Sequence, residues 1–102
     1  MNKVILVGRL TRDPVKRYTH NNTSVSSFGL AVNRRFRREG DPEADFFEVS
    51  CFGNTADFVA KWYAKGKSVT VIGSIHLHTW TDTDEQQHTT MDVHCDDTSF
   101  AG

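Results

Sequence analysis

From Lys67 to Trp80 the chain repeats with a period of two, setting Val69, Val71, Gly73, Ile75 and Leu77 against Thr70, Ile72, Ser74, His76, His78 and Trp80. A two-residue period puts successive side chains on opposite faces of a pleated strand. The segment is therefore predicted as a strand, one long enough to protrude beyond a small core. The same period recurs elsewhere. In residues 3–10, Val4, Leu6, Gly8 and Leu10 oppose Lys3, Ile5, Val7 and Arg9, which gives apolar character on both faces, as in a buried strand that ends before the Asp13-Pro14 turn. After a polar turn at His20 to Thr23, the stretch Ser24 to Asn33 sets Phe28, Leu30 and Val32 against Val25, Ser27, Gly29 and Ala31. A third strand is predicted from Asp45 to Phe52, and a fifth near His88 to Asp96 beyond the polar turn through Asp82 to Gln86. Only between Asn54 and Lys65 does the period become helical, with Ala56, Val59, Ala60 and Tyr63 at i, i+3, i+4 and i+7. Asn54 or Thr55 is the predicted N-cap of that helix, and Gly66 its C-terminal stop.

The order β-β-β-α-β-β, all-β with one helix, fits a five-stranded Greek-key OB-fold barrel with protruding hairpins, an architecture that binds oligonucleotides or oligosaccharides on one face. A chain of 102 residues has room for one core. A single domain over 1–102 is expected, its core spanning about residues 1–99. The longest apolar run near the N-terminus, Val4 to Val7, is too short for a signal-peptide core or a membrane span, so a cytoplasmic protein without a membrane partner is expected. Cys51 and Cys95 are too few for a disulfide framework or a zinc ribbon and are expected to be reduced, partly buried thiols.

Charge is divided along the chain. The net charge is −1, yet residues 1–40 hold nine Lys and Arg against two Asp and Glu, whereas residues 41–102 hold three against eleven. Such a division describes either a dipolar solvated surface or a basic face of the kind that meets a polyanion. The aromatic residues favour the second. Phe46 and Phe52 share strand parity with Glu48 and Ser50, while Phe47, Val49 and Cys51 can serve as the buried face; Trp80 shares a face with His76 and His78, and Phe36 sits among Arg34, Arg35, Arg37 and Arg38. Rings beside cations on an open sheet suit single-stranded nucleic acid, because each base offers a π-face and each nucleotide a phosphate.

Other signals fail on context. Gly66-Lys67-Ser68 has the ending of a phosphate-binding loop, but it leaves a helix and enters a strand, and the position of the required earlier glycine is Lys61. His76, His78, His88, His94 and Cys95 contain no tight ligand pair, so no metal or cofactor is expected. The glycosylation patterns at Asn21 and Asn22 read as turn residues. No local signature of a catalytic nucleophile or acid–base couple is present, and a non-enzymatic protein is expected.

The sequence resembles the bacterial single-stranded DNA-binding protein family. The resemblance is carried by Met1 to Leu10, by Asp13-Pro14 followed by Arg17-Tyr18, by Leu30-Ala31-Val32-Asn33-Arg34-Arg35-Phe36, by Phe52-Gly53, by Lys65-Gly66 and by Trp80-Thr81-Asp82, in order and at compatible spacing from residue 1 to about residue 95. It implies an OB-fold that binds single-stranded DNA without sequence preference in replication, recombination and repair, commonly as a homotetramer, with a dimer as the alternative. It also implies base stacking on Phe36, Phe46, Phe52 and Trp80, the four rings chosen by parity, and phosphate contacts at or beside Lys3, Arg34, Arg35 and Lys65, to which the cluster adds Arg37 and Arg38. Two departures stand out. Where the family often has arginines on the long fourth strand, this chain has His76 and His78, so phosphate neutralisation there is expected to be weak at neutral pH and to strengthen as imidazoles protonate near about pH 6.5. The sequence also stops at Gly102, before the linker and acidic tip through which the family recruits replication and repair proteins, so such partners are expected only if a C-terminal tail exists outside this chain. Two rival readings stay open: an RNA-directed OB-fold relative, and a protein-interaction module whose aromatics form a self-association interface.

Overall fold

Every predicted strand is present, and the sheet they build closes on itself. A computed structural model describes residues 1–102. In chain order the elements are β1 (Val4–Leu10), β2 (Val15–Tyr18), β3 (Ser24–Asn33), β4 (Ala44–Phe52), helix α1 (Gly53–Trp62), β5 (Ser68–Thr81) and β6 (Gln87–Phe100). The strand order is β1-β5-β6-β4-β3-β2, and β1 returns to pair with β3 through Arg9↔Ala31 and Leu10↔Leu30. All pairings are antiparallel except β4–β6, which run parallel through Glu48↔Asp92, Val49↔Val93 and Ser50↔His94. This closed barrel with one helix leading from β4 toward β5 is the expected OB-fold.

Phe28, Leu30, Val49, Val59, Val69, Val71 and Val93 are fully buried inside the barrel. Each is worth about 1.5–3 kcal/mol of transfer free energy. The predicted helix face is the one that packs, with Ala56, Val59 and Tyr63 buried. Two serine hydroxyls of β3 tie α1 down: Ser26 Oγ donates to the Ala56 carbonyl at 2.7 Å and Ser24 Oγ to the Gly53 carbonyl at 3.1 Å. At the other end of the helix the Tyr63 hydroxyl lies 2.8 Å from Thr98 Oγ1, which itself donates to the Thr70 carbonyl at 2.7 Å.

Two glycines permit approaches that a side chain would block. A Cβ on Gly8 would stand 2.4 Å from the Ala31 carbonyl oxygen, at the place where β1 meets β3 and closes the ring. A Cβ on Gly73 would stand 2.0 Å from the His94 carbonyl oxygen, at the register shift where β6 carries one extra residue, Asp96, between the partners of Ile72 and Gly73.

Several boundaries differ from expectation. Four-residue β2 lies between the two predicted turns, where no element was expected; it is an edge strand with every residue exposed, so it carries no alternation. The helix starts at Gly53 and stops at Trp62, so Asn54 and Thr55 lie inside it. Its N-cap is Phe52, still extended as the last residue of β4 and without a side-chain cap bond. Tyr63 is already extended as its ring turns into the core, and Gly66 instead sits in the following turn, its N–H donating to the Leu10 carbonyl at 2.8 Å. Strand β6 runs four residues beyond Asp96, where polar Asp97, Thr98 and Ser99 hide the period. Both cysteines are free and more deeply buried than expected, Cys51 completely. The Cys51 thiol is pushed far up by its contact with the Cys95 thiol and by burial.

Candidate functional site

Parity along β4 divides its side chains as predicted: Val49 and Cys51 face the core, with Phe47 partly buried, while Phe46 and Phe52 are left 68% and 44% exposed. Past the Glu48↔Asp92 pair, β4 and β6 no longer bond to each other. The gap is a groove of about 380 Å³, bordered by Phe46 and Phe47 on one side and by Thr89, Thr90 and Met91 on the other. It adjoins an open concavity lined by Glu48, His78, Trp80, Thr90 and Asp92. Glu48 and Thr90 line both, so the groove beside Phe46 and the concavity beside Trp80 adjoin, and together they are called the trough.

The β5–β6 hairpin supplies the trough's second wall. Trp80 is held between two imidazoles, His78 at 5.5 Å and His88 at 5.2 Å between ring centroids, all three nearly parallel. Further down the same face His76 and His94 stack at 4.2 Å, and Phe52 meets His94 edge-on at 6.0 Å. Asp82 pins the hairpin tip, accepting from the Asp84 and Gln86 backbone N–H groups through Oδ1 while its Oδ2 lies 2.6 Å from His88 Nε2. The His88 contact, reinforced by the Gln86 N–H, holds the Asp82 carboxyl below the usual carboxylate range.

The remaining stacking candidate, Phe36, stands apart from the trough. It occupies the exposed β3–β4 connection, 84% accessible, with the Arg35 guanidinium over its ring at 5.5 Å. The four arginines there are not equivalent. Arg34 is engaged by Asp45, with Nη2 to Oδ1 at 2.8 Å, a pairing that raises the Arg34 pKa further; Arg37 reaches Glu43 at 3.4 Å. Arg35 and Arg38 form no ion pair. Lys3 and Lys65 are likewise exposed and without an acidic side-chain partner. They lie toward opposite ends of β1, Lys3 just before Val4 and Lys65 beside the turn that bonds Leu10, where its backbone N–H donates to Asp13 Oδ1 at 2.8 Å. The candidate cations thus form a tip cluster and two outlying positions.

Sequence reasoning passed over Arg12, and weighed His88 and His94 only as metal ligands. Arg12 grips the Glu48 carboxylate with both terminal nitrogens, so the one acidic side chain between Phe46 and Phe52 on β4 is paired. Thirty-six positions separate the two residues, and no local pattern announces the contact. His94 was within reach, since it shares parity with Asp92 on a strand predicted to pair with β5. No group of three or more His, Cys, Asp or Glu side chains is arranged to hold a metal ion, and no helix is long and apolar enough to cross a membrane.

Comparison with known proteins gives the same family as the motifs. Residues 1–101 match the model of the single-strand binding protein family. The chain is 42% identical over 101 residues to a single-stranded DNA-binding protein of Caldanaerobacter subterraneus subsp. tengcongensis, an alignment covering 98% of this chain and 67% of that protein. It is 39% identical over 101 residues to single-stranded DNA-binding protein 3 of Clostridium acetobutylicum, covering 98% and 70%. A single-stranded DNA-binding protein of Streptococcus pneumoniae is 43% identical over 88 residues, covering 85% and 54%.

Proposed function

The chain belongs to the single-strand binding protein family, and from that premise we propose that it captures unpaired DNA without regard to sequence, in replication, recombination and repair, and performs no catalysis. The observation that carries this reading is the exposure of Phe36, Phe46, Phe52 and Trp80, large rings left outside a complete core, with Phe36 beside the Arg35 guanidinium. Bases stack on these rings, each contributing about 1–3 kcal/mol whatever its identity. Lys3, Arg35, Arg38 and Lys65 meet phosphates directly. Arg34 and Arg37 must first exchange a carboxylate for a phosphate, which weakens their net contribution. The protein works as a homo-oligomer, a tetramer, in the nucleoid. Wrapping one strand over several copies multiplies affinity through effective concentration.

Intrinsic fluorescence tests the reading, since Trp62 and Trp80 are both partly exposed reporters. Titration with a dT oligomer should quench strongly, and a duplex of equal length should not. Quenching should be partly reversed by salt, with log K falling by about 0.7 per phosphate contact for each decade of salt. Trp80→Ala should weaken dT binding about five- to 150-fold, the equivalent of one stacked base. Absence of dT binding in both the fluorescence titration and a gel-shift assay overturns the reading, and tighter binding of the matched RNA would move it to RNA.

A further inference from the structure

No Lys or Arg follows Lys67, so β5 and β6, the two longest strands, carry no permanently cationic side chain. The same strands hold four of the five histidines, His76, His78, His88 and His94, and all four lie on the face shared with Trp80. Imidazole is the side chain whose ordinary titration falls between about pH 5 and pH 8. We propose that Phe52, His94 and His76 form a further nucleotide-binding subsite beside the Trp80 trough, one that holds a backbone phosphate only with a proton taken up by its stacked histidines. This rests on the reading that the chain binds single-stranded DNA.

The geometry supplies both halves of a nucleotide site. The stacked His76–His94 pair and the Phe52 ring offer flat surfaces to a base. The imidazole nitrogens offer the only side-chain N–H donors that β5 and β6 place there for a phosphate. The surrounding charges make protonation necessary. Across the sheet, Glu48 of β4, Asp92 of β6 and His76 of β5 form one row, and Thr90 Oγ1 fixes the Asp92 carboxylate by donating to it at 3.1 Å. Glu48 is neutralised by Arg12; Asp92 is in no ion pair. On the β1 side, Asn2 exchanges hydrogen bonds with the Ile75 backbone, and Lys3, the nearest fixed cation by register, precedes the Val4↔Gly73 pair. Ser74 Oγ lies 3.0 Å from His76 Nε2. His88 differs from the others because its contact with Asp82 cancels any charge it gains.

Linkage fixes the sign. A bound phosphate stabilises imidazolium, so DNA binding takes up protons and log K rises as pH falls. Calorimetry of a dT oligomer in buffers of different ionisation heat should register uptake of about one to two protons on binding within the window in which imidazoles titrate. From about pH 8 to about pH 5.5 the affinity should rise about tenfold or more, and the salt slope should steepen by about 0.7 per phosphate gained. His76→Gln/His94→Gln should lose the rise on acidification, its affinity at about pH 5.5 being no higher than its own at about pH 8, whereas His76→Arg should keep acid-level affinity at about pH 8. A parent that binds dT equally at both pH values overturns the subsite and leaves DNA binding intact. A pH response that persists in the Gln variant also overturns it, because His78 or carboxylates outside the subsite would then be its source. Failure to bind dT at any pH would instead overturn the underlying function.

Discussion

At the scale of single residues, the Arg12–Glu48 pair decides the sign of the trough. Glu48 sits between Phe46 and Phe52 on the exposed face of β4, where an unpaired carboxylate would repel every phosphate that passed. Arg12 is a positioning residue in this account, acting on the ligand through Glu48. Arg12→Ala is therefore expected to weaken dT binding about three- to tenfold, and Arg12→Ala/Glu48→Gln should restore most of it. A fluorescence titration of both variants checks this, and equal loss in the two would show that the guanidinium itself touches DNA. Both side chains are substantially exposed, so the pair contributes no more than ~1 kcal/mol to folding, and unfolding midpoints should barely move. Nothing in the sequence announces the pair. Phe46 and Phe52 were legible because strand parity is local, but a contact between a loop after β1 and the middle of β4 exists only once the barrel has brought β3 between them.

Among the elements, the β5–β6 hairpin depends most on one side chain. Asp82 satisfies two backbone N–H groups of the turn and contacts His88, and Glu85 completes the turn with φ +63°, a region costly for a residue with a Cβ. Glu85→Gly should stabilise the tip by about 0.5–1 kcal/mol, read as slower amide exchange at Gln86 and Gln87. Asp82 has a depressed pKa, so its support is present above the unfolded carboxylate value of about 3.9 and is lost only as pH falls through the lower folded value. The hairpin should thus remain pinned at about pH 5.5 and fray below about pH 4, reported by the Trp80 emission maximum. Elements with two unlike faces were the ones legible in sequence: Ser24 to Asn33 matches β3 to the residue, and the helical period found the buried face of α1. Strand β2 was not legible, because an edge strand exposed along its whole length has no apolar face to betray it. The end of β6 was hidden for a different reason, since the bulge at Asp96 shifts the period partway along.

On the scale of the whole molecule, the outer face of β1 is the region least explained by one copy. Ile5 and Val7 are 65% and 56% exposed, and Ile5 pairs with partly exposed Ile72 on β5, so an apolar stripe runs along the sheet away from the core. If this stripe holds the proposed homo-oligomer together, Ile5→Glu/Val7→Glu should reduce the mass measured by light scattering to that of a monomer while the circular dichroism stays that of the barrel. Affinity for long dT should fall more than affinity for a short oligomer, because only the long strand gains from several linked copies. The closed ring has a further consequence. Strands β1, β5 and β6 are zipped together over long registers, as are β2, β3 and β4, but the ladders of the two groups join only at the brief β1–β3 closure and at the three-residue parallel stretch between β4 and β6. The second group, residues 15–52, is one uninterrupted stretch of chain clasped between the N-terminal strand and the last two. Such a molecule should breathe like a clasp, its seams exchanging amide hydrogens before either group does. On the proposed function a strand of DNA lying in the trough would span the parallel seam, so binding should act as a latch, slowing exchange at Val49 and Val93 more than at residues buried within either half.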